Sequence, residues 1–136
     1  RVNILHDHGR AINPAIEKGQ IEGGFVQGAG WLTIEEVNWK SNGELTTHSP
    51  STYKIPAVND MPEKFNVEIY KNLNKENVVN KSKTTGEPPL MLAMSVFFAI
   101  KDAIASVRNY TKIPKLNSPA TPEAILLSIK NLTNKL

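Results

Sequence analysis

The sequence contains no cysteine, so it can form no disulfide and can supply no thiolate to an iron–sulfur cluster. It also lacks a strong excess of either charge: 16 Lys and Arg stand against 13 Asp and Glu, a formal +3. The basic residues are scattered and no Lys/Arg run is interleaved with aromatics, which argues against a nucleic-acid surface. The lysines crowded into residues 71–83 read as an exposed loop. Long apolar runs are missing too. The longest, residues 90–100, ends at Lys101-Asp102 and falls short of the about 20 residues a membrane span requires. No signal peptide is visible, and the expected setting is cytoplasmic, without a membrane partner. There is no internal repeat, no Gly-x-Ser-x-Gly elbow and no phosphate-binding loop of the Gly-x-x-x-x-Gly-Lys-Ser/Thr type.

What is present fits one mixed α and β domain, residues 1–136, of which 40% are apolar. The first residues, Arg1-Val2-Asn3-Ile4-Leu5-His6, read as the middle of a strand. The helices look buried but have no large sheet to cover them. Both features lead us to expect that other polypeptide completes the fold. A strand is expected over residues 2–8, closed by Gly9. Asn13-Pro14 starts a helix, with Asn as cap and Pro at the first helical position. That helix runs to about Val37, with a break allowed near Gly19. A short strand is expected over 44–48, after the Asn42-Gly43 turn. Residues 64–70 alternate with Phe65, Val67 and Ile69 on one face, the pattern of a half-buried strand. The loop 71–83 is expected to end in a short strand. Pro88-Pro89 opens a helix from Leu90 to about Arg108, with Leu90, Met94, Phe97, Phe98 and Ile104 at helical spacing. After a linker at 112–119, Thr121-Pro122-Glu123 caps and starts the last helix.

Two segments stand out chemically. The first runs from Gly19 to Gly30 and holds five glycines, each costing a helix roughly 1 kcal/mol relative to Ala. Close approach of a backbone or ligand would offset that cost. At about 100° per residue, Gln20, Gly24, Gln27 and Trp31 form one stripe. Buried amides there need partners for their donors and acceptors, which a flat polar ligand would supply. Tight packing on a neighbouring sheet explains the same glycines, and on these residues alone it is the preferred reading.

The second is Gly86-Glu87-Pro88-Pro89. Proline disfavours the α conformation in the residue before it, so Glu87 is expected to be extended ahead of the helix, its carboxylate projecting from a stiff turn. A helix N-terminus favours a negative charge there. A fixed carboxylate in a cleft is what a general base requires, although taken by itself the residue reads as a capping acid. His6 and His8 alternate onto one face of the first strand and are expected to be partly exposed. Two histidines without a third ligand make no zinc site. Met91 and Met94 read as core filling.

Taken in order, Asp7-His8-Gly9-Arg10, Asn13-Pro14-Ala15-Ile16, the segment from Gly19 to Gly28, Pro50-Ser51-Thr52-Tyr53-Lys54-Ile55-Pro56-Ala57, Gly86-Glu87-Pro88-Pro89 and Ser95 to Ala103 resemble the end of the molybdopterin-binding subunit of the xanthine dehydrogenase family of molybdenum hydroxylases. The Ser-Thr-Tyr-Lys-Ile-Pro segment is closer to xanthine dehydrogenases and aldehyde oxidases than to carbon monoxide dehydrogenases. The fold implied is α+β: a partial molybdopterin-binding domain with a glycine-rich buried helix, short strands and two further helices. The resemblance implies that Glu87 is the catalytic base, taking up a proton while an oxygen attacks an electron-poor ring carbon. It implies that Gln20 hydrogen-bonds the pterin, with Gln27, Gly23 and Gly24 on the same cofactor-binding face. It implies a molybdenum–molybdopterin cofactor, with iron–sulfur clusters and FAD on other domains or subunits. The partners implied are those units, the remaining molybdopterin-binding polypeptide and a purine substrate such as hypoxanthine or xanthine. An aldehyde substrate and a non-catalytic assembly role are the alternatives. Thr84-Thr85 and His8 depart from the family's usual residues. The chain alone is expected neither to hold the cofactor stably nor to turn over.

Overall fold

The computed structural model describes residues 1–133. In chain order its regular elements are strand β1 (Val2–His6), helix α1 (Pro14–Thr33), strand β2 (Phe65–Ile69), and helices α2 (Glu87–Leu92), α3 (Met94–Ser106) and α4 (Pro122–Thr133). Single 3-10 turns occur at Val58–Asp60 and Val79–Lys81. The chain divides into two compact units. One joins Arg1–Gly28 with Pro56–Leu92; the other joins Ala29–Ile55 with the residues from Ala93 on.

The first unit is built on a two-stranded parallel sheet, with Val2 opposite Phe65, Ile4 opposite Val67 and His6 opposite Ile69. Period-2 alternation decides which side chains are covered: Ile4, His6 and Val67 are buried, whereas Asn3, Leu5, Asn66 and Glu68 are exposed. The histidines were expected to be partly exposed. Both are buried, His6 at 6% exposure and His8 at 1%, because the inward set of β1 continues through its C-terminal extension. Helix α1 starts where Asn13-Pro14 place it. The Asn13 side chain accepts from the Ile16 N–H at 3.3 Å, the bond an N-cap makes to the third helical residue. The helix runs through Gly19 without a break. Ile21 and Phe25 are buried, each contributing about 1.5–3 kcal/mol by removal from water, which offsets the glycine cost. Phe25 packs on Phe65 of β2 with ring centroids 5.4 Å apart.

In the second unit, α3 packs on α4 around Ile104, Leu116, Ala120 and Leu132, flanked by Phe97, Ile100, Ile125 and Ile129. Thr121 caps α4 through its hydroxyl, which accepts from the Ala124 N–H at 3.2 Å. Glu35 is buried and accepts a 2.5 Å hydrogen bond from the Tyr53 hydroxyl. That bond to a carboxylate holds the Tyr53 phenol above its ordinary value of 10.0.

Four expected elements differ. Helix α1 ends at Thr33 rather than near Val37. Residues 44–48 form no strand; Leu45 makes only an isolated antiparallel bridge with Trp39. The end of the 71–83 loop likewise gives one bridge, Gly9 with Ser82, rather than a strand. The helix expected from Leu90 is divided at Ala93 into α2 and α3. Counted together, Glu87–Ser106 is long and apolar enough, by length and composition alone, to cross a bilayer. The inward side chains of α3 are those already packed on α4.

Candidate functional site

Glu87 is the first residue of α2, not an extended residue ahead of it. Proline's bias on its predecessor is a preference, and the first turn of a helix needs no N–H donors, so Pro88 and Pro89 fit inside it. Pro89 is buried and anchors that turn, while Glu87 is exposed.

Gly24 brings α1 against the Gly86-Glu87 turn. A Cβ at Gly24 would lie 2.8 Å from the Gly86 carbonyl oxygen and 3.4 Å from the Pro89 Cβ. No real side chain tolerates the first distance, so the two backbones approach this closely only because residue 24 is glycine. Gly19 and Gly23 differ. A Cβ at either would meet nothing within 4 Å, so their faces are open.

The result is a cleft of about 500 Å³ lined by Gly19, Gln20, Gly23, Gly24, Gln27, Gly86, Glu87 and Leu90. The structure therefore brings Gln20, Gly23, Gly24, Gln27 and Glu87 to one place. Trp31, the fourth member of the expected stripe, is not among the lining residues. Gly19, Gly86 and Leu90 line the cleft without having been singled out. The signal for Gly86 was its position before Glu87, since its carbonyl is what Gly24 admits. Gln20 and Gln27 are exposed, and among the described residues neither amide has a hydrogen-bond partner. The Gln20 Oε1 is 3.9 Å from where a Gly86 Cβ would be, so the amide reaches the opposite wall.

The donor set fits a flat heterocycle with amide-like edges. Two free amides offer both donors and acceptors, bare glycine backbone lets a ring system approach, and a carboxylate stands on the other side. These are the features a pterin would require of its surroundings.

A turn beyond β1 supports this cleft. The Asp7 carboxylate accepts from the Gly9 N–H at 2.9 Å and pairs with the Lys83 ammonium at 2.6 Å. The Lys83 hydrogen bond, followed by that of Gly9, holds the Asp7 carboxyl below its ordinary 3.8. Its contribution to stability is present above that ordinary value and is lost as the pH falls through the lowered one. The Arg10 N–H donates to the Lys81 carbonyl at 3.0 Å and the Lys83 N–H to the His8 carbonyl at 2.7 Å. The segment that leads to Glu87 is thus stapled to the turn that leads to α1.

Comparison with known proteins gives three kinds of match. The molybdopterin cofactor-binding domain family matches residues 1–62. Xanthine dehydrogenase/oxidase of Felis catus is 48% identical over 131 residues, 92% of this chain and 10% of the relative. Xanthine dehydrogenase of Oryza sativa subsp. japonica is 45% identical over 146 residues, 98% of this chain and 11% of the relative. Among solved structures, quinoline 2-oxidoreductase from Pseudomonas putida 86 superposes with a TM-score of 0.80 at 31% identity, covering 94% of this chain and 16% of that one. The chain spans about a tenth of the length of the curated relatives it matches.

Proposed function

The chain belongs to the xanthine dehydrogenase family of molybdenum hydroxylases, as part of its molybdopterin-binding region, and we propose that it supplies one wall of the active site in an enzyme that hydroxylates an electron-poor ring carbon of a purine. The observation that carries this reading is the single cleft with Glu87 on one side and the Gln20 and Gln27 amides over open glycines on the other.

In this reading Gln20 and Gln27 hydrogen-bond the polar edge of the pterin, and Gly23 leaves room for its ring. Gly24 contributes differently, by letting the Gly86 carbonyl close on α1, which fixes the origin of the Glu87 side chain. When bound, the molybdenum–molybdopterin group supplies the oxygen transferred to the substrate and accepts the electrons released. Glu87 acts as general base, accepting a proton as that oxygen bonds to the ring carbon. Without a hydrogen-bond partner among the described residues, its carboxylate is free to do so. Iron–sulfur clusters and FAD, which would carry the electrons away, would be held by other domains or subunits, because a chain without cysteine cannot ligate the clusters through thiolates. The assembly is proposed to work in the cytoplasm, on a small molecule rather than a nucleic acid or membrane.

The relatives are named for xanthine, and the 31% identical structural neighbour for quinoline, another nitrogen heteroaromatic. Both favour ring carbon over aldehyde carbon. The test is a substrate panel on the full-length enzyme. Hypoxanthine should be turned over with a kcat/KM at least about tenfold above that of aromatic aldehydes, a preference of about 1.4 kcal/mol in transition-state binding. The reverse order would make it an aldehyde oxidase. Turnover of neither class, with cofactor bound, would reject the reading and leave an assembly module.

A further inference from the structure

His8 is the most buried titratable side chain of the first unit, at 1% exposure, and none of the chemistry above uses it. Its Nδ1 is 3.1 Å from the Gly9 carbonyl oxygen. Its Nε2 is 3.1 Å from Glu17 Oε2, at ion-pair distance, and both of those atoms are buried without a hydrogen-bond partner. The ring therefore lies between two oxygens, the Gly9 carbonyl on one side and the Glu17 carboxylate on the other. Glu17 is tied in turn: its Oε1 accepts from the Ile12 N–H at 2.8 Å and the Asn13 N–H at 3.4 Å. Glu17 thus closes the start of α1, one turn before Gln20. The His8 main chain reaches the other wall, since its carbonyl accepts from Lys83, four residues before Glu87. One residue thus contacts both segments that carry the cleft, through its ring on one side and its carbonyl on the other.

We propose that His8 and Glu17 are positioning residues, a buried brace that fixes the Gln20 wall of the cleft against the Glu87 wall. The inference rests on the functional reading above and adds to it the device that sets the spacing between amide and base. A remote substitution that displaces reacting groups by about 1 Å costs on the order of 100-fold in rate. Loss of the brace should therefore appear in kcat more than in binding.

The experiment uses the full-length, cofactor-containing enzyme with the variants His8→Ala, His8→Gln, Glu17→Ala and the double His8→Ala/Glu17→Ala. Each single alanine variant should lower kcat by about tenfold to 100-fold, with KM and molybdenum per protomer within about twofold of the parent. The double variant should be no worse than the worse single one, because both remove one interaction. His8→Gln, whose amide can still donate to Glu17, should recover most of the loss. Independently of turnover, amide exchange over residues 12–20 and 81–90 should quicken in His8→Ala and return towards the parent in His8→Gln.

An unchanged kcat in His8→Ala would overturn the proposal. So would a joint fall of kcat, molybdenum content and melting temperature that His8→Gln fails to reverse, since that is what plain loss of packing produces. If His8→Ala does not accumulate, Glu17→Gln is read by the same criteria. It removes the charge facing His8 while keeping an acceptor for Ile12. Glu87→Gln measured in parallel separates the two claims. Full turnover there sinks the functional reading itself, whereas loss there with an unaffected His8→Ala sinks only the brace.

Discussion

Glu87→Gln in the full-length enzyme should lower kcat by about 10²–10⁴, the range assigned to a positioned general base, while the molybdenum and pterin content stays at the parent level. The reason is chemical rather than structural. The glutamine amide has nearly the same shape and keeps the start of α2, but it cannot accept the proton. Glu87 is exposed and has no hydrogen bond or ion pair among the described residues, so nothing in the chain's own packing depends on its charge. A loss of turnover with intact cofactor therefore reports the missing base. Parent-level turnover would remove Glu87 from the chemistry altogether.

Gly9→Ala should be the most destabilising single substitution in the β1–α1 turn. Gly9 is buried with φ +69°, a left-handed conformation that costs an L-residue roughly 1–2 kcal/mol. An added Cβ would also collide with the Lys81 carbonyl oxygen and lie 3.2 Å from the Asn74 Cβ. The first contact is with backbone, so the Gly9–Ser82 bridge must open and the Arg10 bond to Lys81 must go with it. Overpacking of this kind adds about 1–3 kcal/mol. A thermal melt of the enzyme should show the midpoint lowered by several degrees, together with loss of turnover, because the same turn carries Asp7 and His8. A melt equal to the parent's would show that the turn yields without consequence.

Much of this was legible in the sequence because it depends on local rules. Asn13-Pro14 and Thr121-Pro122 marked two helix starts through caps that act within one turn, and the alternation of Phe65, Val67 and Ile69 marked β2. The ordered motifs identified the family, and they named the residues that the cleft gathers. What failed depended on contacts distant in sequence. Nothing within residues 44–48 reveals that the pairing there stops at one bridge, Leu45 with Trp39. The break at Ala93 interrupts an apolar pattern that local spacing would continue. Glu87 was expected to be extended because the effect of one proline was considered without the tolerance of a helix's first turn for two. The burial of His8 was missed because its partner, Glu17, lies nine residues on, in a helix whose docking follows from the tertiary fold. The openness of Gly19 and Gly23 against the tight approach at Gly24 is likewise a property of the assembled unit. The sequence shows only that all three are glycine.

The central claim is that one cleft presents the Gln20 amide to the cofactor and the Glu87 carboxylate to the reaction. It is tested most directly by an experimental structure of the full-length enzyme with cofactor and a slow substrate bound. The expected result is the pterin within about 3 Å of the Gln20 amide and the substrate's reacting carbon on the Glu87 side of the same cavity. A cofactor bound elsewhere, with side chains of other polypeptide filling the space between Gln20 and Glu87, would contradict it.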